Sequence, residues 1–325
     1  MATTLRDLKL DRAAAVGPAE AEQVAERRYP WLHLLRELLA DLAGDRVALV
    51  GALGFALIIG LALAAPWIAQ DYARQNLRLR LSAPTLTVQG EFNYHYALGA
   101  DQLGRPILDR IIHGSRVSLT VGLGVVAVTC LFGSVLGMLA GYFGGWVDTV
   151  IMRWVDIQTA FPGLLVALTI LIMLGPNLEN MMIALMINGW MIFARIVRGV
   201  TLSLREEVFV KAARVIGSSD LRIVFRHILP NLVSPILTIA VMELARIILA
   251  EAALSFLGMG IQPPESSWGL MLSDGRDYMT KAWWLVTFPG VAIALTVLFI
   301  NMLAGWLRSV SDPQQRFKKF GAKEA

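Results

Sequence analysis

Two stretches of this chain, Val47 to Ala69 and Val117 to Ala140, carry no charged residue. About 20 apolar residues in a helix cross the roughly 30 Å hydrocarbon core of a bilayer, and both stretches reach that length. Composition agrees: 17% of the 325 residues are charged and 56% are hydrophobic, whereas about a quarter of an ordinary soluble domain is charged. The balance excludes a disordered chain, a disulfide-stapled secreted domain and most soluble enzymes. Cys130 is the sole cysteine; it closes no intrachain disulfide and nucleates no metal cluster.

Six spans emerge along the sequence. They run from Val47 to Ala69, Val117 to Ala140, Val155 to Leu174, Asn180 to Val197, Leu232 to Leu257 and Trp284 to Leu307. The expected fold class is therefore all-α, a polytopic membrane protein of six transmembrane helices. The expected organisation is a cytoplasmic tail (1–46), a first span (47–69), a periplasmic loop (70–116), a five-helix core (117–308) and a C-terminal tail (309–325). Lysine and arginine are concentrated on the side that holds both tails and the 195–230 loop, which places that side in the cytoplasm by the positive-inside bias. The same distribution explains the net charge of +4 as bilayer orientation rather than nucleic-acid binding. The polar first 46 residues and the long first span argue against a cleavable signal. Trp31, Leu35, Leu38 and Leu42 recur at helical spacing, which predicts an interfacial or partner-docking helix from Trp31 to Arg46.

The loop Arg205 to Asn231 reads as helix, glycine turn, helix. Glu206 and Glu207 open the first helix and Lys211 and Arg214 close it, as the helix dipole favours, with Glu207 and Lys211 at i,i+4. Gly217 suits a left-handed C′ position, Ser218 or Ser219 a cap, and Pro230 a stop. Phe209, Ala212, Ala213 and Ile216 form one apolar side and Leu221, Phe225 and Ile228 another. Such faces need burial against span ends or another protein.

Within the spans, Gly133, Gly137 and Gly141 form a row suited to close helix approach, either as static packing or as a hinge. Glu243, Arg246 and Glu251 lie in the fifth span, where charges are expensive and face a bundle interior or a wet path. Glu243 and Arg246 at i,i+3 suggest a structural pair; lining of a path and a proton relay are the other readings. Glu251 lies about 140° around the helix from Arg246 and needs another partner. Phe161-Pro162-Gly163 predicts a kink in the third span. Outside, Pro106 suits the start of a short helix to His113, and Trp268 suits the membrane interface within an amphipathic segment from Trp268 to Met279. His33, His95, His113 and His227 fall in separate segments without a metal-binding spacing. No phosphate-binding GxxxxGK[ST] loop and no GxSxG elbow occur, so the chain is expected to be non-enzymatic and to bind neither cofactor nor metal.

Ala212-Ala213, Gly217 and Ile228-Leu229-Pro230 resemble the EAA loop of ABC importer permeases, with Lys211 for the glutamate and His227 for an isoleucine. Leu98 to Arg105 (LGADQLGR) resembles the LGTDxLGRD block, and Ala140 to Asp148 the AGYxGGxxD block. Ala250 to Gly258 (AEAALSFLG) and Gln262-Pro263-Pro264 with Ser267-Trp268-Gly269 complete the set. The chain resembles the C-type inner-membrane permease of the dipeptide, oligopeptide and nickel family. The resemblance implies an ATP-driven importer of dipeptides or oligopeptides, coupled to its ATPase subunits through the 205–217 helix of the EAA loop (205–230). Phe209, Lys211, Ala212, Ala213, Arg214 and Gly217 would then engage an ATPase cleft. It implies a homologous second permease, two ABC ATPase subunits that carry ATP and magnesium, and a periplasmic or lipid-anchored substrate-binding protein. The location would be the bacterial inner membrane. A self-sufficient secondary transporter with a Glu/Arg ion relay is the rival, and it leaves the two-faced loop unexplained. An intramembrane hydrolase lacks a nucleophile–base pair.

Overall fold

The structure, a computed structural model, describes residues 40–69 and 72–311; most of the Trp31–Arg46 stripe lies outside them. Of the described residues, those up to Leu49 belong to one compact unit and those from Val50 onward to a second. In the first unit, Asp45 caps a helix by accepting from the backbone N–H groups of Val47 (3.1 Å) and Ala48 (3.2 Å), which satisfies two donors that a helix start leaves free. This helix, α1, runs Arg46–Ile68. The loop that follows in the second unit contains a small hairpin, Thr87–Val88 with Glu91–Phe92.

Helix α2 spans Ile107–Phe143 with Pro106 at its N-cap. The short outer helix and the second span read from the sequence are thus one continuous 37-residue helix. Nothing between His113 and Val117 breaks it: Gly114 faces Trp268, whose Cδ1 would lie 3.1 Å from an added Cβ. The third span departs more sharply. Helix α3 (Gly145–Thr159) and helix α4 (Gly163–Leu174) meet at 82°, so Phe161-Pro162-Gly163 is a corner rather than a kink. Pro162 has ψ of 118° and no N–H, and α4 starts anew after it. Helix α5 runs Leu178–Arg205, capped by Asn177, whose side chain accepts from the Asn180 N–H.

Helix α6 is Val208–Val215. The next helix, α7, is unbroken from Asp220 to Phe256, so Pro230 does not stop it. A π-helical turn at Val224–Ile228 absorbs the proline. There the Leu229 N–H reaches back to the Val224 carbonyl, and the Asn231 side chain donates to the His227 carbonyl at 2.7 Å, so the helix passes the missing donor without a break. Helices α8 (Trp268–Gly275) and α9 (Trp284–Ser311) are the last among the described residues.

Among the described residues, five helices are long and apolar enough to cross a bilayer, and the bent α3–α4 pair makes a sixth span if counted as one. The protein is all-α and polytopic. Its core forms where α2 packs along α5 and α7 along α2, α5 and α9, with Val121, Val125, Phe193, Ile247 and Ile248 buried together. The Gly133, Gly137 and Gly141 row sets the α2–α5 distance. An added Cβ would lie 2.3 Å from the Trp190 carbonyl oxygen, 2.4 Å from that of Ala194 and 2.7 Å from Thr201 Cβ, so only glycine admits this approach.

Candidate functional site

At one end of the bundle, α6 hangs between α5 and α7. Its C-terminus is a Schellman turn: the Ser218 N–H bonds the Ala213 carbonyl and the Gly217 N–H that of Arg214, both at 3.0 Å, with Gly217 at φ +79°. The glycine assignment from sequence holds at this turn. The facing of α6 differs from the sequence reading. Val210 and Ala213 are buried in a small core with Met138, Val197, Ile223 and Ile228. Val208, Phe209, Ala212, Val215 and Ile216 are exposed, Val215 and Ile216 by 86% and 81%. Ala213 therefore holds α6 to its own bundle and lies off the outward surface. Residues i and i+3 share a face, so Val210 and Ala213 are the pair that points inward.

The charges on α6 are also arranged differently. Lys211 pairs with Glu206 at 3.2 Å; its backbone N–H, not its side chain, reaches Glu207, the N-cap, by bonding that residue's carbonyl at 3.1 Å. The hydrogen bond from Lys211, then its charge, holds the Glu206 carboxyl below the usual glutamate range. The Arg214 guanidinium lies 5.9 Å over the Tyr142 ring. Tyr142 in turn donates to Asp220 Oδ1 at 2.5 Å, and Arg205 Nη1 donates to the Tyr142 carbonyl at 3.1 Å. Beside this cluster, both carboxylate oxygens of Asp148 accept from Arg198, joining α3 to α5. Tyr142 and Asp148 belong to the AGYxGGxxD block, but their partners lie 50 to 78 residues away and no local spacing reveals them.

Mid-bundle, the sequence-predicted pair is present. Arg246 donates to Glu243 Oε2 from Nε at 2.7 Å and lies 2.6 Å from it through Nη2. Glu251 stands apart, fully buried, and accepts from Ser118 at 3.0 Å and Ser255 at 2.8 Å. The three charges of the fifth span thus do not form a chain.

At the opposite end, the LGADQLGR block folds into a buried ion cluster that the sequence reading left unassigned. Asp101 Oδ2 accepts from Arg105 Nε and Arg110 Nη1, both at 2.6 Å, while Oδ1 accepts from the N–H groups of Leu103 and Arg105. Asp274 on α8 bonds Arg110 at 3.0 Å and Arg105 at 3.4 Å. Gly104, at φ +71°, lies so close to Asn76 that an added Cβ would fall 1.8 Å from its carbonyl oxygen. Trp268 is buried and donates to the Ile111 carbonyl at 2.9 Å, so it is a core residue and not the interfacial anchor expected. Nearby, burial first and the Glu265 charge second raise the Tyr72 phenol above its usual range. Among the described residues, no group of histidine, cysteine, aspartate or glutamate is placed to hold a metal ion.

Residues 133–317 match the family model for the binding-protein-dependent transport system inner membrane component. The chain belongs to that family. Residues 34–84 of this permease match the model for the N-terminal TM domain of oligopeptide transport permease C. It is 42% identical to the dipeptide transport system permease protein DppC of Alkalihalophilus pseudofirmus, over 88% of this chain and 91% of that protein. It is 39% identical to the di/tripeptide transport system permease protein DppC of Pseudomonas aeruginosa, over 86% of this chain and 92% of that one. Identity to the glutathione transport system permease protein GsiD of Pectobacterium atrosepticum is 40%, over 88% and 92%. Among solved structures, a chain of the MetNI methionine ABC transporter in inward facing conformations is 15% identical. It covers 64% of this permease and 98% of its own length with a TM-score of 0.52, a likeness of fold.

Proposed function

We propose that this permease forms half of the translocation path of an ATP-driven importer of short peptides in the bacterial inner membrane, with both termini cytoplasmic. A homologous permease supplies the other half, two ABC ATPases bind ATP and magnesium, and an external binding protein delivers cargo. The observation that carries the reading is the outward face of α6. Val208, Phe209, Val215 and Ile216 are apolar and uncovered on a helix anchored from behind by Val210 and Ala213. Such a face gains stability by docking into a hydrophobic cleft, and the ATPase is the partner proposed for it. Lys211 and Arg214 stand at its edge, while Ala212 and Gly217 let the cleft walls approach.

Closure of the ATPases would push α6 against the Tyr142–Asp220 contact and so move α2 and α7 together. The secondary-transporter reading requires proton or ion transfer between Glu243, Arg246 and Glu251. Glu251 instead bonds two serines, away from the Glu243–Arg246 pair. The test is reconstitution of the complete complex in proteoliposomes, with labelled dipeptide or tripeptide uptake as the readout. Uptake is expected only with ATP and all subunits. Uptake by this chain alone under an ion gradient overturns the proposal.

A further inference from the structure

One face of α7 is left uncovered by the other described residues. Met242, Arg246, Leu249 and Phe256 lie along it at successive turns, exposed, with Ala253 between them half-buried. Two adjoining cavities open over this stripe and share Leu249 and Ala253 as floor. The outer one, about 420 Å³, reaches Arg276 beyond the end of α7. The inner one, about 360 Å³, lies between α4, α5 and α7 and is bounded by Gly163, Asn188 and Arg246. The groove is thus apolar along its length, with one guanidinium at its mouth and another at its inner end.

Two polar groups stand at the inner end, one open and one shielded. Arg246 stands ten residues from the end of α7, about 15 Å of helix rise and half the thickness of a bilayer core. Its side chain is 51% exposed. A cation at that depth is too far in to reach the headgroups readily, and facing lipid it would be expensive, so its open face belongs to a wet path. Glu243, 5% exposed, engages Nε and Nη2 from behind, which keeps the pair neutral; the guanidinium has five N–H donors, and among the described residues the Nη1 edge has no partner. Across the cavity, Asn188 donates through Nδ2 to the Ala184 carbonyl at 2.9 Å. Its Oδ1 is shielded and accepts no hydrogen bond, and it is the nearest atom to a Cβ built on Gly163, at 3.5 Å.

A guanidinium with an open edge complements a carboxylate, and Asn188 Oδ1 across the cavity, closed to solvent as it stands, accepts the adjacent peptide N–H once its side chain turns toward the cargo. We propose that Arg246 and Asn188 form a subsite in the wall of the path that receives the C-terminal carboxylate and last peptide N–H of the cargo. The inference rests on the peptide reading above and deepens it. Glu243 behind the guanidinium offsets its charge, which makes the hold weak enough for release. Arg276 at the outer cavity offers the carboxylate its first contact.

The test uses the complete importer in proteoliposomes with radiolabelled dialanine and trialanine. Arg246→Gln is expected to lower uptake about tenfold, the scale of one lost charge-assisted hydrogen bond, and Arg246→Lys to recover much of it. The double variant Glu243→Gln/Arg246→Gln, which removes both charges, is expected to stay low. Wild-type uptake in Arg246→Gln overturns the subsite. So does wild-type uptake in the double variant, because the pair would then be only structural. Should Arg246→Gln fail to assemble with the ATPases, Asn188→Ala decides instead: a loss of about threefold supports the subsite and unchanged uptake overturns it. If the wild-type importer takes up neither peptide, the peptide reading falls and the subsite with it. If it takes them up and the variants do also, the subsite falls alone.

Discussion

The phenol of Tyr142, in the last turn of α2, donates to Asp220 Oδ1, in the first turn of α7, at 2.5 Å. Arg214 at the end of α6 covers the same ring. One side chain therefore touches the helix proposed to receive force and the two long helices that would carry it.

Tyr142→Phe removes that bridge while keeping the ring under Arg214. A hydrogen bond to a charged group is worth about 1.5–3 kcal/mol. Stability of the purified complex should fall by that order, and uptake per ATP hydrolysed should fall several-fold. Paired measurements of peptide uptake and phosphate release on the same proteoliposomes check the second part; an unchanged ratio would remove Tyr142 from the coupling route.

Gly217→Val places a β-branched residue at φ +79°, where strain of about 1–3 kcal/mol is expected. Nothing lies within 4 Å of the added Cβ, so the loss comes from the backbone alone. Insertion should persist and uptake should fall. Gly217→Asn, which tolerates the left-handed region better, should retain most of the wild-type rate, and a fall equal to that of Val would point to a lost surface contact instead of strain.

Gly137→Leu forces a side chain into the Ala194 backbone. Since an added Cβ already falls 2.4 Å from that carbonyl oxygen, α2 and α5 must separate, and overpacking of this kind costs about 1–3 kcal/mol or more. A lowered melting temperature of the detergent-solubilised chain is the expected result. Leu at Gly199, where nothing lies within 4 Å, is the control and should leave it unchanged.

Asp101→Ala strands Arg105 and Arg110, which are 7% and 2% exposed. Removing one partner of a buried ion cluster costs about 3–5 kcal/mol. The 76–106 loop should then become susceptible to chymotrypsin at Leu103 in intact spheroplasts, a residue now half-buried and held by its N–H on Asp101. Protection equal to that of the wild type would mean that Asp274 alone holds the loop.

Local chemistry made much of this architecture legible. Charge-free runs located the spans, and a glycine placed after two cationic residues located the turn at Gly217. The glycine row announced a close helix contact without naming α5 as its partner. What escaped depended on chain segments far apart in sequence. Trp268 looks interfacial until Ile111, 157 residues away, supplies its acceptor. Asp101 looks like loop polarity until Arg105 and Arg110 close on it, with Asp274 holding the far side of both arginines. Pro230 reads as a stop because local rules cannot foresee a π-turn that absorbs it. Ala213 and Ala212 are equivalent by type, and only packing against Met138 and Ile223 decides which of them turns inward.

The central claim, that the outward face of α6 seats in an ATPase, is tested most directly by placing a photoreactive phenylalanine analogue at single positions of the assembled importer. At Val215 and at Ile216 the account predicts a covalent adduct with the ATPase subunit, and at buried Val210 an adduct only within this chain. An ATPase left unlabelled from both Val215 and Ile216 would contradict it.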